Sequence, residues 1–235
     1  MADPGRSEER LENIESVEPI LSALRTVSQA SMQTARRRLQ GAARYGEDLV
    51  EMASWLPERE QGGESEPEGR TPRTLMVVLG SDRGLCGNFN GEIVGALDRK
   101  LADLEASQEH THRLVWALGM RLRSPLLKAG IQSDLEERFS SGAAPNYQRA
   151  YQLAEQIESR IREDRLDQVL VVFNRLVRAD RAWPVIEQLY PVQIENEQRN
   201  KVLWPPPILE SDPVVLQKRI QRQALEVNLY RMMLT

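Results

Sequence analysis

The sequence predicts an α/β protein. It should comprise a Rossmann-like domain with a mostly parallel sheet, a long N-terminal coiled-coil helix and an incomplete C-terminal helix. Three observations carry this. Apolar side chains recur at spacings of three and four over residues 10–56, short apolar runs alternate with helical stripes over residues 74–192, and a last stripe starts at Pro213 and still runs at Thr235. The chain divides accordingly into a shaft helix (1–56), a polar linker (57–73), the α/β domain (74–192) and an extended segment leading into the last helix (193–235).

In the first helix, Leu11, Ile14, Val17, Leu21 and Leu24 form the stripe, with Ile20 and Val27 widening it. Beyond Val27 the same face carries the small residues Ser28, Ser31 and Ala35 before Leu39 and Ala42. A stripe this narrow on a helix this long requires a second helix or a sleeve of other subunits. Pro19 should kink the helix or set its first turns apart. Residues 57–73 hold three prolines, three glycines and several glutamates, the composition of an exposed linker.

The α/β part follows in order. Residues 74–79 (TLMVVL) form a strand buried on both faces, and Ile93, Val94, Leu97, Leu101 and Leu104 mark a helix. Residues 113–118 (RLVWAL) form a second strand, followed by a short helix over 122–128 that stops before Gly130. A third helix spans 146–163, with Tyr147, Tyr151, Ala154, Ile157 and Ile161 on one side. Residues 168–173 (QVLVVF) form a third buried strand, and the chain turns at Ala179-Asp180 to return as an edge strand, where Pro184 is tolerated. The Trp204-Pro205-Pro206-Pro207 stretch is stiff and extended. Pro213 suits the first turn of the last helix, whose stripe is Val215, Leu216, Ile220, Ala224, Val227, Tyr230 and Met233.

Composition excludes several functions. The net charge is -4, which argues against a dedicated nucleic-acid binder. No apolar run approaches the roughly 20 residues of a membrane span, residues 1–10 lack a signal-like apolar stretch, and a single cysteine, Cys86, allows no internal disulfide. The glycine-rich turn GSDRGLCGNFN over residues 80–90 sits where α/β folds hold phosphate. Its spacing matches neither dinucleotide nor P-loop patterns, and it has no lysine. Cys86 has no histidine partner at hand, because His110 and His112 precede the second strand, and those two histidines lack further ligands for a zinc site. Glu136 and Glu137 read as solvated surface, so no catalytic group, cofactor site or metal site is expected. Five arginines and no acids lie between residues 25 and 44, which suits a solvated face, an acidic protein partner or, through Arg36 to Arg38, RNA.

The loop SDRGLCGNFN, Ser81 to Asn90, closely resembles the SDRGLCGxxN segment of the gamma subunit of F-type ATP synthases. Arg10-Leu11 followed by Ile20, Ala23, Leu24, Val27, Ser28 and Met32 resembles that family's opening helix. Phe173-Asn174-Arg175-Leu176-Val177, Leu189-Tyr190-Pro191 and Leu209-Glu210-Ser211-Asp212-Pro213 resemble its YNKF, LLP and YEPDP segments. Ser16-Val17 and Leu21 depart from the family pattern. So does the end at Thr235, because family members continue into a long C-terminal helix that pairs with the first.

The resemblance implies a non-catalytic central rotor stalk coupling ion-driven rotation, by proton or sodium, to ATP synthesis. Its partners would be the alpha and beta subunits of F1, an epsilon subunit and a membrane c-ring, with no nucleic acid. The complex would sit on the cytoplasmic face of a bacterial inner membrane. The resemblance further implies beta-subunit contact through Leu24, Arg25, Asp82, Arg83, Gly84, Leu85, Cys86 and Gly87, and rotor-ring contact through Lys201, Trp204, Pro207 and Ile208. The alternatives are a Rossmann-like binding protein with a helical interaction arm and a non-rotating gamma relative.

Overall fold

A computed structural model describes residues 4–56, 71–106, 112–139, 144–178, 181–192 and 208–235, with side chains of the first helix from Glu15 onward. The elements are α1 (Pro4–Ser54), β1 (Arg73–Leu79), α2 (Phe89–Ala106), β2 (His112–Leu118), α3 (Arg123–Lys128), β3 (Leu135–Glu137), α4 (Tyr147–Asp164), β4 (Gln168–Arg178), β5 (Arg181–Tyr190) and α5 (Pro213–Leu234). The strands form one sheet in the order β3-β2-β1-β4-β5. The first three pairings across it are parallel and β5 is an antiparallel edge.

Side-chain alternation along the strands makes the layers. Leu75, Val77 and Leu79 of β1, Leu114, Trp116 and Leu118 of β2, and Val169, Val171 and Phe173 of β4 point into a core shared with α4 and the C-terminal half of α5. Met76 and Val78, Val115 and Ala117, and Leu170 and Val172 point the other way, against α2 and α3. Both faces of the central strands are buried, as their continuous apolar runs predict. Asn146 caps α4 by accepting from the Arg149 N–H at 2.9 Å, and Asp212 does the same for Val214 on α5 at 2.7 Å.

Four local expectations change. The helix runs through Pro19 without a break. A proline removes only one helical hydrogen bond, and a helix of 51 residues carries that loss. The three-residue strand β3 (Leu-Glu-Glu) has no readable alternation. It exists because β2 offers a parallel partner and the Asp134 carboxylate accepts from the Val115 N–H at 2.7 Å, so Glu136 and Glu137 stand in a strand rather than on featureless surface. β4 continues past Phe173 to Arg178 because β5 pairs with it beyond the end of β1, with Pro184 opposite Asn174. On α5, Val215 is 55% exposed and stands outside the buried set, whereas the last two turns are buried nearly all round. The turn expected at Ala179-Asp180 lies outside the described residues, as do residues 57–70 and 193–207.

α5 runs antiparallel to the second half of α1. Leu49, Ala53 and Leu56 pack on Ile220, Ala224 and Val227, and a Cβ on Gly46 would lie 3.7 Å from Val227. Ala35 and Leu39 reach the main core, and the Arg38 Nη1 donates to the Pro145 carbonyl at 2.9 Å. α4 connects β3 to β4 and so begins where the parallel strands end. α1 therefore leaves the domain at the carboxyl edge of the sheet, and its first half extends beyond that edge.

Candidate interaction site

Two features share the carboxyl edge. The first is the projecting half of α1. Val17, Ile20, Leu21, Leu24 and Val27 are 45–60% exposed, and Arg25 is exposed beside them. Within this stretch Thr26, Ser31 and Thr34 donate their hydroxyls back to the carbonyls of Ser22, Val27 and Ala30 at 2.9–3.0 Å. Those hydroxyls satisfy themselves within the helix and leave the apolar residues as the stripe's open surface. Leu11 and Ile14 belong to the part of the helix whose side chains are not described.

The second is the loop after β1. The carboxyl ends of β1 and β4 frame the position where the strand order reverses, the usual ligand crevice of such sheets. Here protein fills it. A Cβ on Gly80 would lie 2.4 Å from Leu122 Cγ and 2.7 Å from Asn90 Oδ1. Gly119, at φ +129°, presses its Cα to the same place, where a Cβ would come within 2.7 Å of the Gly80 backbone. Asn90, only 7% exposed, accepts from the Ser81 N–H at 2.9 Å and donates to Ser81 Oγ at 2.8 Å, so the amide that could cradle a phosphate is already bonded. Asn174, at the carboxyl end of the β1-paired part of β4, donates to the Phe89 carbonyl at 3.0 Å.

The loop is thus pinned at both ends and displays its middle. Arg83, Gly84, Leu85, Cys86 and Gly87 are all exposed, and Leu85 reaches 95% exposure at φ +63°. Cys86 Sγ lies 3.4 Å from Ser81 Oγ, and His112 begins β2 at the opposite edge of the sheet, so among the described residues no histidine serves the thiol. Among the described residues no group of three or more His, Cys, Asp or Glu side chains is placed to hold a metal ion. No described helix is long and apolar enough to cross a membrane.

Asp82 points inward. Its Oδ1 accepts from the backbone N–H groups of both Met120 and Phe139, each at 3.1 Å, and so ties together the segments following β1, β2 and β3. Sequence reasoning had no way to see this junction, since the three segments are far apart in the chain. The available signal was positional: residues just after parallel strands gather on one edge.

Of the predicted rotor-ring contacts, Lys201, Trp204 and Pro207 lie outside the described residues. Ile208 is 91% exposed. β5 ends at Tyr190 opposite Val169, at the amino edge, and α5 starts a few residues after Ile208. Ile208 is therefore remote from the projecting helix, toward the other end of the domain.

A polar cluster that sequence reasoning also missed holds α5 to α4. Glu226, 4% exposed, accepts from Tyr147 OH at 2.7 Å and from Arg222 Nε at 3.1 Å, and Arg222 reaches Tyr151 and Glu155. Burial, and then the bond to Glu226, push the Tyr147 phenol well above its ordinary range. Tyr147 also meets Tyr230 edge to face at 5.5 Å.

The family model described as ATP synthase matches residues 6–235. An ATP synthase gamma chain from Geotalea daltonii is 26% identical over 238 residues, covering 100% of this chain and 80% of the relative. One from Desulfitobacterium hafniense is 24% identical, covering 91% and 75%. Among solved structures, a chain in the Tetrahymena thermophila mitochondrial ATP synthase central stalk and c-ring has a TM-score of 0.58 at 17% identity. That match covers 92% of this chain and 91% of that one, and it supports the fold described above.

Proposed function

Because this chain belongs to the ATP synthase gamma-chain family, we propose that it is the central rotor stalk of a rotary ATP synthase, a non-catalytic subunit that transmits torque. The observation that carries this reading is the first half of α1. It is a stiff rod standing clear of its own domain, with an apolar stripe that the described residues leave uncovered. At 1.5 Å per residue the part ahead of Arg38 is about 50 Å long, enough to enter a ring of subunits.

Function follows from asymmetry. A helix set off-axis presents different side chains to each of three surrounding catalytic subunits as it turns, and each subunit shifts toward the conformation that contacts the presented face best. The nucleotide chemistry belongs to those partners, in keeping with a loop crevice that Leu122 and Asn90 fill. On this reading the alpha and beta subunits surround α1. Leu24 and Arg25 on the helix, with Arg83, Gly84, Leu85, Cys86 and Gly87 on the loop, meet the beta subunit, while Asp82, also expected there, turns inward and anchors the loop. Each exposed charge pair would contribute only about 0.2–1 kcal/mol, so these contacts act on coupling rather than on folding.

The remote end, where Ile208 lies, faces the membrane c-ring; Lys201, Trp204 and Pro207 are further ring contacts in this reading, and an epsilon subunit completes the rotor. In this reading the chain divides into four parts: 1–56 as shaft, 57–73 as linker, 74–192 as the body and 193–235 as foot and return helix. The complex translocates protons or sodium ions and is held peripherally on the cytoplasmic face of a bacterial inner membrane.

The test is reconstitution with the cognate alpha and beta subunits. The expected result is a stoichiometric complex whose ATP hydrolysis drives rotation of a bead attached to this chain, while the isolated chain retains no stoichiometric ATP. An isolated chain that binds ATP one to one and does not assemble overturns the reading.

A further inference from the structure

The projecting half of α1 is complementary to a reversed copy of itself. No described segment of the chain covers Val17, Ile20, Leu21, Leu24 or Val27, and Glu18, Arg25 and Ser28 are exposed with them. At about 100° per residue, Val17, Leu21, Leu24 and Ser28 form the centre of the stripe. Ile20 and Val27 lie along one flank of it, Glu18 and Arg25 along the other. Seven residues, about 10 Å of rise, separate Glu18 from Arg25, too far for an ion pair within one helix.

A second copy of this helix laid antiparallel on the first, about a two-fold axis between Leu21 and Leu24, matches it position by position. Leu21 stands opposite the partner's Leu24, and Val17 opposite the partner's small Ser28. On one flank Ile20 meets the partner's Val27, and on the other Glu18 meets the partner's Arg25. The symmetry makes each contact occur twice, so two ion pairs and a closed apolar seam come from one short stretch. A parallel pair would set Arg25 against the partner's Ile20 and leave the charges unmatched. The overlap runs over residues 15–30 of each helix and ends ahead of Ala35, where the stripe enters the chain's own core. Charge along the helix favours the same direction. Glu15 and Glu18 precede Pro19, and from there to Gly46 the sequence holds five arginines and no acid, so reversed copies set unlike ends side by side.

We propose that two copies of this chain pair through the exposed half of α1 before they meet other subunits, as an antiparallel dimer with identical contacts on both sides. The pairing itself stands on the stripe. That it competes with ring assembly rests on the rotor-stalk reading, because the same residues then face the alpha and beta subunits. Such a dimer keeps the apolar shaft out of water until a ring displaces one copy, and it sets assembly against the concentration of free chain.

The test is sedimentation equilibrium of the isolated full chain over rising concentration, and a reversible monomer–dimer equilibrium is expected. Leu21→Glu with Leu24→Glu should raise the dissociation constant on the order of a hundredfold, with the melting temperature of the dilute monomer unchanged because both side chains are exposed. Glu18→Arg alone and Arg25→Glu alone should each raise it about tenfold. The two together should return it to the parent value, since each then meets its opposite across the two-fold axis. A chain that stays monomeric at every concentration, or a dimer that ignores the two leucine substitutions, overturns the self-pairing. A double charge swap that fails to restore what either single swap loses overturns the antiparallel register. Cognate alpha and beta subunits added to the parent dimer should leave one copy of this chain per assembled complex. Two copies retained there overturn the competition alone, whereas a dimer that never assembles with those subunits overturns the rotor-stalk reading and leaves the pairing standing.

Discussion

Both halves of α1 carry an apolar stripe, yet Val17, Ile20, Leu21, Leu24 and Val27 stand 45–60% exposed whereas Leu49 and Ala53 are 1% and 8% exposed. The difference lies in what faces them. The second half meets α5 and the sheet core, and the first half has left both behind at the carboxyl edge. Since most helix stability in proteins comes from packing an apolar face, the two halves should differ in energy although they are one element. On the proposed reading the contrast serves function: the half that is held makes the shaft part of the body, and the exposed half is the part that other subunits contact.

The largest expected effect is in amide exchange of the isolated chain. Amides near Leu49 should open only with the core, those of residues 17–27 by local fraying, a gap on the order of 5 kcal/mol. Equal protection in both halves of a monomeric sample would break the comparison. Next, Leu49→Ala should cost about 2–5 kcal/mol in urea unfolding, whereas Leu21→Ala should stay within about 0.5 kcal/mol.

A smaller effect sharpens the account of why α5 is available to hold the second half. Tyr147→Phe removes a donor from the buried Glu226 and should cost about 1–3 kcal/mol. Its pH dependence has a definite sign. The Tyr147 phenol is raised in the folded chain, so the folded state favours the neutral form. The stabilisation is complete below the unfolded value of about 10 and is lost as pH climbs above it. Alkaline unfolding above pH 10 should therefore be steeper in the parent than in Tyr147→Phe. Smallest is Arg38→Ala, which cuts the exposed bond to Pro145 where the two halves divide, at about 0.5–1 kcal/mol by thermal melting.

Much of this was legible beforehand, and the particular elements show why. The strands at 74–79, 113–118 and 168–173 are buried on both faces and so read as unbroken apolar runs. The helices are amphipathic and read by period, and Pro184 marked an edge. The loop Ser81 to Asn90 stood out by resemblance. β3 did not, because three residues carry no period and their pairing is supplied by a neighbour. Nor did the Asp82 junction or the Tyr147–Glu226–Arg222 cluster, whose members are separated by long stretches of chain and show no local pattern.

By itself the sequence determined the element types, the parallel α/β architecture, the glycine-rich loop and the presence of a helix too long for its own domain, since periodicity and backbone preference are local properties. Tertiary structure alone decided which half of that helix the described residues cover, that the β1 crevice is closed by Leu122 and Asn90, and that Asp82 joins the segments after β1, β2 and β3. Those outcomes depend on which segments lie against α1 and on which strand ends share an edge. Both are distances in space between residues remote in the chain, and no local pattern encodes them.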